Sequence, residues 1–347
     1  MASRKTAAAL SRLALFATLA PFGAAQAQEV NLNYDALSSL EEPIAFDLGQ
    51  VTVELTGLVD VPLAFDLHGG LPGNDVEPGF VGNFQIGAQT QLANRWRVGA
   101  AYFGQYATDA TPVFASSADD YTDNVAGFIG TSFGTVLGGN VGGQVREVTR
   151  RRRGVGNGVL AFDNFYGRLD NWGGAYVGRF GPMVLSAAVD ENGDFEVGGV
   201  FQRPLGHKDY RFSLRFADGR FGSQDGSVLF DTKGAGAVAE FVYGSSLFDL
   251  GGGYERLESP VVDIDRWYIS GGARTKTGPL TLSAEGHYGK AAGDSETAVA
   301  LGAAFDFARG LSVNLGLNFE EAMVAAGPVT LVATDAVQGI ASLRFSF

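Results

Sequence analysis

Val337-Gln338-Gly339-Ile340-Ala341-Ser342-Leu343-Arg344-Phe345-Ser346-Phe347 ends the chain, and its side chains alternate between two chemistries. Val337, Gly339, Ala341, Leu343, Phe345 and Phe347 take one side. Gln338, Ile340, Ser342, Arg344 and Ser346 take the other, with Ile340 the single exception. A strand turns successive side chains to opposite faces, so this segment has one apolar and one polar face. The pattern recurs upstream. Leu311, Val313, Leu315, Leu317 and Phe319 alternate with Ser312, Asn314, Gly316, Asn318 and Glu320. Tyr210, Phe212, Leu214 and Phe216 alternate with Arg211, Ser213, Arg215 and Ala217. One such strand fits a soluble sandwich as well as a membrane barrel. A succession of them, with no soluble-core sequence between, predicts an all-β fold: a closed transmembrane antiparallel barrel, apolar outside and wet inside.

From residue 50 onward the alternation predicts about sixteen strands of roughly 10 residues, the length that crosses a bilayer when tilted. Their centres are 51–59, 82–92, 95–106, 125–134, 135–146, 172–180, 183–190, 194–203, 209–218, 235–244, 247–257, 266–276, 279–290, 297–307, 310–320 and 337–347. Very short connections rich in Gly, Pro and Asn, such as Ala93-Asn94, Gly181-Pro182 and Thr277-Gly278-Pro279, are turn chemistry. They alternate with mostly longer connections at 60–81, 107–124, 147–171, 219–234, 258–265, 291–296 and 321–336, Glu191-Asn192-Gly193 being the short exception. Short turns on one rim and long loops on the other characterise outer-membrane barrels. Trp96, Trp172, Trp267, Tyr102, Tyr176, Tyr254 and Tyr288 lie near strand ends, where amphipathic rings suit the headgroup level.

Composition agrees. Fifty glycines weigh against helices and suit closely packed or bent strands. The absence of cysteine excludes disulfide staples and thiol catalysis. Residues 1–27 read as a cleaved signal peptide: Arg4, Lys5 and Arg12, an apolar run from Leu13 to Ala20, then Ala25-Gln26-Ala27 as the cleavage site. That run is shorter than the roughly 20 residues of a spanning helix. Removing the three cations takes the formal charge from -13 to -16. Residues 28–49 read as a polar lead-in and 50–347 as the barrel.

The segment AGFIGTSFGTVLGGNVGGQ (Ala126–Gln144), the long insertion after it and the terminal SLRFSF resemble the sixteen-stranded, trimeric general porins of Gram-negative bacteria, particularly the alphaproteobacterial type. The resemblance spans residues 50–347. It implies a homotrimer in the outer membrane that passes small hydrophilic solutes and ions by passive diffusion, without cofactor, metal or nucleic acid. It implies that Phe347, with Phe345, forms the signal read by the outer-membrane assembly machinery. It also implies that the third external loop, here 147–171, folds into the lumen and narrows it.

That loop contains Arg150, Arg151, Arg152 and Arg153, then a glycine-rich stretch, then Asp163, Arg168 and Asp170, with Arg146 just before it. In the family, acidic residues on the loop face basic residues on the wall; here the basic cluster stands at the loop's own start. Charges in a lumen with low-dielectric walls act strongly on a passing ion, so these residues are the candidate constriction. Inward-parity residues Arg97, Arg179, Arg211, Arg215, Glu54, Glu240 and Glu285 are the candidate wall partners. Alternatively the arginine run is a solvated loop or contacts lipopolysaccharide phosphates. Consecutive residues cannot share a face, so some of the four must point elsewhere.

Two other functions are open to such a barrel. A hydrolase needs a base within hydrogen-bond reach of a nucleophile or water. Of His68, His207 and His287, only His68 is suitably placed, and no carboxylate or serine partner for it is evident. No Gly-x-Ser-x-Gly, His-Glu-x-x-His or phosphate-loop motif occurs. A closed structural or adhesive barrel is allowed by the acidic loops, but the small and polar inward positions favour a wide, wet lumen.

Overall fold

Lipid offers the backbone no hydrogen-bond partner, so a sheet that crosses it must close on itself. The computed structural model describes residues 43–68, 76–108, 120–152, 154–160, 165, 169, 172–205, 208–222, 229–292, 294–325 and 331–347. Its strands are β1 (Ile44–Leu48), β2 (Val51–His68), β3 (Val76–Pro78), β4 (Val81–Gln91), β5 (Arg97–Ala107), β6 (Asp120–Thr131) and β7 (Gly134–Asn140). A short helix, α1 (Gln144–Thr149), follows. Then come β8 (Trp172–Phe180), β9 (Met183–Asp190), β10 (Phe195–Leu205), β11 (Lys208–Gly222), β12 (Leu229–Tyr243) and β13 (Ser246–Glu258). The last five are β14 (Asp263–Thr277), β15 (Leu280–Ala291), β16 (Asp294–Ala308), β17 (Leu311–Ala325) and β18 (Leu331–Ser346).

Sixteen of these, β2 and β4 through β18, pair antiparallel in chain order, and β18 pairs back onto β2 to shut the ring. The seam sets Phe345 against Val59 and Ile340 against Ala64. The two remaining strands are attachments. β1 pairs with the start of β2, Ile44 against Leu55, and β3 pairs with Leu63–Phe65.

Burial is inverted relative to a soluble protein. On β11, Phe216 is 55% exposed while Ser213 is 1% exposed. The same inversion holds on β17, where Val313, Leu315 and Leu317 are exposed and Asn314 and Asn318 buried. An apolar exterior of this extent needs lipid or detergent around it. Aromatic side chains mark both ends of the strands, with Trp96 and Tyr243 near the short turns and Trp172, Tyr254 and Trp267 near the long connections; all five are exposed.

Three local features depart from the sequence expectation. The strand expected over 135–146 stops at Asn140, and residues 144–149 are helical. Gly139 (φ 143°) is the last residue paired with β6, and Gly143 (φ 73°) takes the left-handed conformation at the start of α1. The connections expected at 60–81 and 219–234 are largely strand, since β2 reaches His68 and β11 and β12 run on to Gly222 and back from Leu229. Pro62 reads as a breaker, yet it lies where the β4 ladder has ended at Asp60–Val81 and before the β3 ladder begins, a gap that tolerates a missing N–H. Lastly, one sector of the inner wall is apolar: Val145 of α1 packs with Leu137, Ala175, Val177, Val184, Ala188 and Val200. Gly198 makes room for the helix, because a Cβ there would lie 2.5 Å from the Thr149 methyl.

Candidate pore and constriction

After α1 the chain follows the inner wall from β11 round to β18, fastened at each step. The Arg152 amide donates to Glu240 Oε1 (2.7 Å) on β12. Arg151 Nη1 meets Asp249 Oδ1 at 2.8 Å on β13 and Glu285 Oε1 at 3.0 Å on β15. The amides of Gly154 and Leu160 donate to the two oxygens of Glu285, at 2.7 and 2.9 Å. The Val155 amide donates to Ser283 Oγ (2.9 Å), and Asn157 Nδ2 donates to Ser342 Oγ (3.0 Å) on β18. Glu285 thus holds one guanidinium and two backbone amides.

Contact this close requires a wall without side chains. A Cβ on Gly302 of β16 would lie 2.0 Å from the Val155 carbonyl oxygen, and one on Gly316 of β17 would lie 2.2 Å from the Asn157 carbonyl carbon. The two glycines form the floor on which the loop rests.

Between the loop and the short-turn rim lies a cavity of about 1320 Å³, bordered at the rim by Gly244, Ser246, Ala308, Gly310 and Ser346. Basic groups predominate in its lining. Arg344 Nη2 pairs with Asp60 Oδ2 at 2.6 Å, Lys276 Nζ with Asp306 Oδ2 at 3.3 Å, and Arg150 Nη2 with Glu147 Oε2 at 2.9 Å. Arg152 Nε and Arg211 Nη1 share Glu240, at 3.3 and 3.0 Å. Arg274 also lines the cavity, feels the like charge of Arg152 and the opposite charges of Glu240, Asp249 and Glu285, and has no hydrogen bond or ion pair among the described residues. Three guanidinium groups therefore gather around Glu240, and only two of them pair with it.

Of the predicted constriction residues, Arg150 and Arg152 line this cavity, with the Arg152 side chain 35% exposed. Arg151 also borders it, but its side chain is 2% exposed and serves as a clamp to the wall. Arg146 is buried within α1. Arg153, Asp163, Arg168 and Asp170 lie outside the described residues. Among the wall candidates, Arg211, Glu240 and Glu285 meet the loop. Arg215 pairs with Glu196 at 3.3 Å, its guanidinium 4.7 Å from the Phe165 ring centroid. Glu54 accepts from Gln89 Nε2 (3.2 Å) on the neighbouring strand. Arg97 and Arg179 make no hydrogen bond or ion pair among the described residues. Arg274, Lys276, Arg344, Asp60, Asp249 and Asn157 were not anticipated; inward parity alone marks the first four and Asp249.

His287 has neighbours on two strands: Nδ1 is 3.3 Å from Ser270 Oγ, and Nε2 is 3.4 Å from Glu296 Oε2. All three residues are buried, and Arg266 Nε occupies both Glu296 oxygens at 3.0 Å. The grouping is a sealed polar network in the wall. His207 and the side chain of His68 lie outside what is described. Among the described residues, no group of three or more His, Asp or Glu is arranged to hold a metal ion.

No protein-family profile and no curated protein matches the chain. Solved structures do. OmpT, an outer membrane protein of Vibrio cholerae in its trimer form, is similar with a TM-score of 0.62 at 17% identity, over 86% of this chain and 100% of that one. The anion-selective porin from Comamonas acidovorans is similar with a TM-score of 0.60 at 12% identity, over 86% and 100%. A mutant of the Rh. blastica porin is similar with a TM-score of 0.53 at 16% identity, over 85% and 100%. At these identities what is shared is the fold, a sixteen-stranded outer-membrane type of barrel.

Proposed function

We propose that this chain is an outer-membrane porin, passing small hydrophilic solutes and ions by passive diffusion through a lumen narrowed by residues 147–171. The observation that carries the reading is the inverted barrel enclosing a polar, charge-lined cavity beneath an inward loop. A lumen lined this way offers ions a wet path and a local field. The excess of guanidinium groups over carboxylates at Arg152, Arg211 and Arg274 supports a preference for anions. In this reading the chain is exported by cleavage after Ala27, contacts lipid and lipopolysaccharide, assembles as a homotrimer and performs no reaction. Phe345 and Phe347 form the assembly signal. The trimer draws support from the trimer form of the similar OmpT structure.

Reconstitution in a planar bilayer under a salt gradient tests it. Stepwise ohmic openings with a reversal potential on the anion-selective side are expected. A barrel that inserts without conducting would be a closed structural or adhesive barrel instead.

A further inference from the structure

Glu320 on β17 shares its inward face with Asn318, and Asn318 lies in register with Gln338 on β18. The three are 2%, 3% and 1% exposed, respectively. Both Glu320 oxygens, both Gln338 amide atoms and Asn318 Oδ1 are buried without a hydrogen-bond partner. Asn318 Nδ2 donates to the Asn157 carbonyl of the loop at 3.0 Å, which fixes that amide and leaves its oxygen free. On β16 the residues in register with Glu320 and Asn318 are Ala298 and Ala300, whose methyl groups donate nothing. No ion pair reaches Glu320 among the described residues. A carboxylate withdrawn from water and left alone is costly, and a cation or a proton must complete it.

We propose that Glu320, Asn318 and Gln338 form a binding site for a monovalent cation, Na⁺ or K⁺. The donors are hard oxygens, the ligand type such ions prefer, and no imidazole or thiol is among them to favour a transition metal. One carboxylate balances one positive charge; a divalent ion would leave a surplus. The two carboxylate oxygens and two amide oxygens supply four ligands, and Gln338 Nε2 remains to donate to the carboxylate. The site adjoins the loop, since Asn318 holds Asn157 and Leu160 packs on Ala298 and Ala300. Cation occupancy therefore steadies the loop's seat. This assignment stands whether or not the lumen conducts.

The test uses the whole barrel in detergent, at a pH well above the ordinary carboxylate range. Na⁺ replaces tetramethylammonium at constant ionic strength while the unfolding temperature is followed. A saturable rise of a few degrees is expected for the native chain, and none for Glu320→Gln, which starts at or above the sodium-free native value. Gln338→Ala, a milder change, is expected to raise the half-saturating Na⁺ concentration several-fold. Indifference of the native chain to both Na⁺ and K⁺ would overturn the proposal. An equal response in native and variant chains, or a response to Ca²⁺ alone, would overturn it too.

Discussion

At the residue scale, the buried acids do more to place the loop than its arginines do. Glu285 accepts from Arg151 and from two loop amides, so Glu285→Ala orphans the Gly154 and Leu160 amides and leaves Arg151 to Asp249 alone. Breaking a buried, hydrogen-bonded pair costs about 3–5 kcal/mol. Larger and noisier single-channel currents are expected from this variant, and unchanged current steps would show that the loop is held by other means. Arg274 is the opposite case. It makes no hydrogen bond or ion pair among the described residues, and the repulsion of Arg152 opposes the attraction of Glu240, Asp249 and Glu285, so Arg274→Ala is expected to leave heat stability within about 0.5 kcal/mol. The same change is expected to lower the anion-to-cation permeability ratio roughly two- to fivefold; reversal potentials decide it. Asp194, in the connection between β9 and β10, is raised from 3.8 to about 6, chiefly by burial and then by Asp190, against the pull of Arg220 at 3.3 Å. A folded-state value above the unfolded one means that the folded form holds the proton more tightly. Its contribution is thus present below 3.8 and lost as pH rises through about 6. The native chain should lose stability relative to Asp194→Asn over that window, read as unfolding temperature against pH.

At the element scale, the loop's seat depends on missing side chains. Gly302→Val would drive a side chain into the Val155 carbonyl, an overpacking expected to cost about 1–3 kcal/mol. A displaced loop should raise conductance, whereas the native current step in this variant would argue against the seat. The strands themselves were legible, because lipid outside and water inside impose a two-residue period that shows in each segment. The helix was not. Val145 and Thr149 owe their helical register to the apolar patch of β7–β10 and to Gly198, none of which is local in sequence. The arginine run was equally visible, and parity put Glu240 and Glu285 among its candidate wall partners; Asp249 was missed, and only the crossing of the loop selects these three from the other acidic inward positions. Parity tells which way a side chain faces, not what it meets.

At the scale of the whole molecule, closure removes every edge from the main ring, and the apolar belt makes a detergent or bilayer part of the stable state. The chain is expected to require detergent for solubility, and a monodisperse soluble form would contradict the barrel. Phe347 pairs with Gly57 in both directions, at 2.8 and 3.0 Å, its ring lying over that glycine. Removing Phe345–Phe347 should therefore lower the yield of heat-resistant barrel in membranes, and full yield would separate the aromatic end from assembly. The seam joining residues 58–68 to 337–346 has one more implication, for timing. Hydrogen bonds between these distant segments cannot form until residues 337–346 have been made, and pairing across such sequence separation is slow. Until that moment the greasy side chains have no ring to belong to, so a nascent polypeptide of this design needs an escort that keeps it open on its way to the bilayer.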